Sequence, residues 1–134
     1  MPITINGSGT VTGISAGGLP DGVITTDDLA STVPVAKAWV NFNGTSTVAI
    51  RASYNVSSIT DNGTGGYTIN FTTAFPDSNY SVAGAASYSS ATWGNAFFLD
   101  AATWNVSSFA IITAAGFTGA SLNDSLYCCV SVFR

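Results

Sequence analysis

The stretch Tyr54–Phe71, YNVSSITDNGTGGYTINF, decides the fold. Tyr54 and Val56 are apolar at alternate positions, and Ile59 follows. After the turn signal DNGTGG, Tyr67, Ile69 and Phe71 alternate again. A period of two on both sides of a Gly/Asn/Asp cluster is the signature of a β-hairpin.

Working outward, the same rhythm continues. KAWVNFN precedes TSTVAIRASYNV, which is read as one strand with Val48, Ile50, Ala52, Tyr54 and Val56 on one face. Thr47, Ala49, Arg51, Ser53 and Asn55 fall on the other. Downstream lie GYTINFTT, the turn AFPDSNY, then SVAGAASYSS, AFFLDAATW, VSSFAIITAA and DSLYCCVSVF. Seven or eight short strands at a spacing of roughly ten residues predict an all-β, antiparallel β-sandwich or jelly-roll-like domain over 37–134. Trp39, Phe42, Phe71 and Phe75 are its expected core aromatics.

The leading part reads differently. Residues 1–36 form an extended N-terminal arm in which Ile3 and Ile5 alternate, then Val11 and Ile14, with glycine between. Such short strands need partners. The stretch 24–38 carries the only predicted helix: Thr26 caps it, Asp27 and Asp28 suit its positive end, and Pro34 limits it. Ile24, Leu29 and Val33 share one face of a helix too short to be stable alone. Three such helices around a three-fold axis would bury one another.

Composition supports assembly. Hydrophobic residues are 46% of the chain and charged residues only 7%, against about 25% in an ordinary soluble domain. So little charge leaves a poorly solvated exterior, part of which is expected against other copies. The net charge is −4, and Lys37, Arg51 and Arg134 are the only cations, too few and too scattered for nucleic acid. No run is long and apolar enough to span a membrane, and MPITINGSGT lacks a secretory pattern, so synthesis in a cytoplasm without glycosylation is expected. Cys128 and Cys129 are read as one or two buried thiols, or as an intermolecular bridge in a symmetric assembly.

Candidate chemistry is sparse. There is no histidine and no glutamate, so Ser-His-Asp and Cys-His arrangements are excluded. Of the aspartates, Asp61, Asp77 and Asp124 sit in predicted turns, where the side chain bonds its own backbone. Neither a metal site, a cofactor site nor an enzyme is expected. Aromatics on polar loops point instead to glycan binding, because a flat ring covers the apolar face of a sugar while amides bond its hydroxyls. Trp93 with Asn95 and Tyr88, and Trp104 in ATWNVSS, are the candidates. The alternative for both tryptophans is that they tuck under their own loops or meet a neighbouring chain, and Tyr88 falls inward by alternation.

The strings ITINGSGTVTGISAGGLPDGVITTDDLA and KAWVNFNGTSTVAIRASYNVSSITDNGTGGYTINF resemble tail-fibre proteins of tailed bacteriophages, especially those of cyanobacterial and other aquatic phages. The resemblance covers roughly residues 1 to 85. It implies an intertwined homotrimeric virion protein. Its arm would attach to the tail or baseplate, and its C-terminal domain would face host-surface polysaccharide. The shortness of the chain keeps a second role open, a trimeric decoration (cement) protein on the capsid.

Overall fold

One residue, Asn55, joins two strands that lie at opposite ends of the sheet. The computed structural model describes residues 33–87, 94–115 and 121–134. The chain divides into two units, Met1–Val33 and Pro34–Arg134, and the fold described here is that of the second. Its strands are β1 (Ala36–Asn43), β2 (Ala49–Tyr54), β3 (Val56–Asp61), β4 (Gly66–Phe71), β5 (Ser81–Ser87), β6 (Gly94–Asp100), β7 (Ser108–Ala114) and β8 (Tyr127–Phe133). A 3-10 turn, Ala101–Thr103, follows β6. All ladders are antiparallel, in the single order β2-β1-β8-β5-β6-β7-β4-β3.

The expectation of an all-β antiparallel domain therefore holds, but two separate sheets are replaced by one nearly closed sheet. Two features close it. The halves β2-β1-β8-β5 and β6-β7-β4-β3 are joined by a ladder of two residue pairs, Ala86–Asn95 and Ser87–Gly94. At the opposite seam Asn55, with φ 54°, turns the chain from β2 into β3. Its amide donates to the carbonyls of Lys37 (3.3 Å) and Thr73 (3.2 Å), and its Oδ1 accepts from the Thr73 N–H (2.8 Å). This corner overturns the reading of TSTVAIRASYNV as one strand. The side chains of β2 are all exposed, whereas Val56, two residues beyond Tyr54, is buried.

The hairpin β3–β4 is as expected, with Ile59 opposite Ile69 and Asp61 opposite Tyr67. A register shift between Val56 and Ser58 lets Val56 and Ile59 both turn inward despite their odd spacing. The turn is pinned by the Asp61 carboxylate, which accepts from Gly63 N–H at 2.9 Å. Gly65, at φ 70°, packs so closely on the Thr113 carbonyl that a side chain there would collide with it.

The core lies between the two halves. Val40, Phe42, Val130 and Val132 come from one, and Tyr67, Ile69, Phe109 and Ile111 from the other. Phe42 and Tyr67 meet edge to face at 5.2 Å across it. One end is closed by a cluster in which Phe71 touches Phe75 (4.7 Å) and Tyr80 (5.7 Å). Gly84 of β5 receives the ring of Phe97, where a Cβ would overlap the ring atoms. Phe42, Phe71 and Phe75 are buried as expected; Trp39 is not, because its position in β1 alternates to the outer face. Residues 36–38 of the expected helix belong to β1, and Val33 lies in a bend. Ile24 and Leu29, like the arm residues Ile3, Ile5, Val11 and Ile14, lie outside the described residues.

Asn55→Ala should lower stability in urea unfolding by about 2–3 kcal/mol, because alanine is disfavoured at positive φ and the seam hydrogen bonds vanish. Asn55→Gly, which keeps the backbone freedom, should cost less.

Candidate functional site

Each described aspartate is hydrogen-bonded within the domain: Asp61 and Asp100 bond nearby backbone, Asp77 bonds both nearby backbone and the distant Arg134, and Asp124, expected to bond its own turn, instead reaches across the chain. Asp61 pins the hairpin turn, and Asp100 accepts from the Ala102 N–H (3.0 Å). Asp124 accepts from the Gly65 N–H (2.7 Å) and the Tyr67 hydroxyl (3.1 Å). Asp77 accepts from the Asn79 N–H (2.8 Å) and pairs with Arg134, which holds its carboxyl below the usual range. No metal-ligating cluster of His, Cys, Asp or Glu occurs among the described residues.

Two of the residues expected to bind glycan are committed elsewhere. Asn95 is not a surface amide. It is only 9% exposed and donates to Ser125 Oγ at 2.6 Å, inside the domain. The signal is its register: Asn95 pairs with Ala86 in the ladder that joins the two halves. The Trp104 ring stacks on Tyr80 (4.8 Å, 17°) and contacts Phe109 at 5.6 Å. Its indole N–H donates to the Ser78 carbonyl at 2.9 Å. It therefore follows the alternative reading and seals the end of the core. Tyr88 and Trp93 lie outside the described residues.

The structure assembles an aromatic surface elsewhere, on the outer face of β2-β1-β8-β5. Tyr54 lies opposite Trp39, Trp39 opposite Ser131, and Ser131 opposite Ala83. The next row is Ala52, Asn41, Cys129 and Ala85. Tyr54 (50% exposed), Trp39 (39%) and Tyr127 (48%) rise over a floor of small side chains. Directly opposed residues on antiparallel strands hold their Cβ atoms about 4.5–5.5 Å apart, so Trp39 and Tyr54 form one continuous surface.

Arg51 completes this face. Its guanidinium lies 4.2 Å from the centre of the Tyr127 ring, a cation–π arrangement. One N–H donates to Asn41 Oδ1 at 3.3 Å. The ion pair among the described residues belongs to Arg134 and Asp77, which leaves Arg51 without a carboxylate partner there. Strands β2, β1, β8 and β5 contain Lys37 and Arg51 and no acid; strands β6, β7, β4 and β3 contain Asp61 and Asp100 and no cation. The outer face of that second half carries an amide–hydroxyl ladder instead. There Asn70 donates to Ser58 Oγ (3.2 Å) and Thr60 Oγ1 (3.0 Å).

The adjacent cysteines divide between the two faces of β8. Both are free: Cys128 is buried and Cys129 exposed on the aromatic face. Burial pushes the Cys128 thiol up to about 12 from 9.0. No protein-family model matches the chain, and neither a curated protein nor a solved structure shows detectable similarity to it.

A thiol reagent should therefore modify one cysteine in the native protein and both after unfolding. Above the ordinary thiol value of 9.0 the unfolded chain releases the Cys128 proton while the folded chain keeps it to about 12, so stability should fall as pH rises through that window. Cys128→Ala should flatten the first part of the decline in a thermal-melt series. The remainder belongs to Tyr67 and Tyr80, both raised above 10.0 by burial.

Proposed function

We propose that the protein is a virion structural component, a homotrimeric tail fibre of a tailed bacteriophage. In this reading the N-terminal segment attaches it to other tail or baseplate proteins. The β-domain binds polysaccharide on the host surface and performs no catalysis. The observation that carries the binding role is the exposed pair Trp39–Tyr54 with its neighbours Asn41, Arg51 and Tyr127 on one sheet face.

The physics suits adsorption. Exposed aromatic rings cover the apolar face of a sugar ring, and Asn41 and Ser131 beside Trp39 supply hydrogen-bonding groups. A shallow site of this kind holds a sugar with a Kd near 1 mM, about −4 kcal/mol. Three copies in one fibre, and several fibres on one particle, turn later contacts into intramolecular ones and raise avidity by about 10²- to 10⁴-fold. Single contacts then release quickly enough to scan a surface, while several together hold the particle.

The intact protein should sediment as a trimer at micromolar concentration and compete with the phage for host cells. Trp39→Ala should weaken binding per site by about tenfold, the worth of one good aromatic contact, with the trimer intact. Binding to capsids rather than cells would instead make the chain a decoration protein, and a compact single chain in the centrifuge would exclude the trimeric reading.

A further inference from the structure

The geometry points to an acidic polysaccharide as the ligand of the aromatic face, with a sugar carboxylate captured by Arg51 while the ring stacks on Trp39 and Tyr54. This inference rests on the glycan-binding reading and narrows it to one chemical class.

Charge distribution carries the argument. The whole chain bears −4, yet the four strands that build this face hold two cations and no acid. Among the described residues Arg51 has no carboxylate partner, and it stands on a surface with three exposed aromatics. The Arg51 guanidinium is also pre-oriented. The Tyr127 ring supports one side of it and Asn41 Oδ1 receives one of its N–H groups. Arginine has five N–H donors in a planar fork that matches a carboxylate in a two-point contact. With one N–H engaged by Asn41, the fork retains donors for such a pair.

Spacing agrees. Asn41 lies one row along β1 from Trp39, about 7 Å away on the same face at the usual strand rise. A single sugar unit can lie over the aromatic row and present its carboxylate to the next. A second copy of the chain is the rival occupant, since its β3-β4-β7-β6 half carries Asp61 and Asp100. Those carboxylates are already bonded within their own turns, to the Gly63 and Ala102 N–H groups, and sit at strand ends rather than on the sheet face.

The test uses the intact protein with polygalacturonate and with the same polymer after its carboxyls are reduced to alcohols. Wild type should bind the acidic polymer at least about tenfold more tightly, with the preference shrinking as salt rises. Arg51→Gln should erase the preference, Arg51→Lys should keep part of it, and Trp39→Ala should weaken both polymers alike. Polygalacturonate should also shield Cys129 from a thiol reagent, at about tenfold lower polymer concentration in the wild type than in Arg51→Gln. Equal binding of both polymers by wild type overturns the inference while leaving the glycan reading intact. A changed sedimentation coefficient for Arg51→Gln overturns it in favour of a contact between copies. Binding to neither polymer, with no competition for host cells, removes both the inference and the reading beneath it.

Discussion

The constraint on which this fold depends is the reach of a single residue. β2 and β3 stand at the two ends of an eight-strand order, yet only Asn55 lies between them. One residue spans no more than about 3.6 Å, so the two edges must be brought together. The sheet therefore curls until its ends meet, and the inner side chains of each half face those of the other. Asn55 suits the corner because a short polar side chain tolerates positive φ and can bond the chain on both sides of the seam. Its bonds to Lys37 and Thr73 tie the start of β1 to the segment after β4.

Closure has a second consequence, at the edges. Exposed strand edges invite pairing with other chains. Here the one edge-to-edge join within the order is the short β5–β6 ladder, reinforced from within by the hydrogen bond between Asn95 and Ser125. The other edges approach each other at the Asn55 corner. A chain with 7% charged residues has few charges with which to guard open edges, and a nearly closed sheet reduces the need.

Once the interior is filled, what remains on the outside differs between the halves. One half presents amide and hydroxyl ladders beside the exposed Leu99, and the other presents aromatic rings, small residues and an arginine. Polar ladders satisfy themselves and remain hydrated. Exposed Trp, Tyr and stacked Arg are costly surface for a chain that gains nothing from them, and they are the residue types that anchor binding sites. The proposed adsorption role follows from that asymmetry together with multiplicity, since a shallow face acquires strength only in an assembly.

The sequence by itself determined the all-β class, the β3–β4 hairpin and part of the core. Alternation in GYTINF and the DNGTGG turn are local properties of the backbone, legible without partners. So was the buried fate of Phe42, Phe71 and Phe75. The order of the strands was not legible, because pairing between distant segments leaves no local mark. The corner at Asn55 was hidden within an unbroken alternating run, since positive φ at an asparagine costs little and shows no pattern. The candidate site was missed for the same reason. Asn95 and Trp104 sit in polar-looking stretches, yet long-range pairing and stacking bury the one and commit the other. Trp39, Tyr54, Arg51 and Tyr127 come from three separate strands, and only the curl of the sheet decides that they share one outer face.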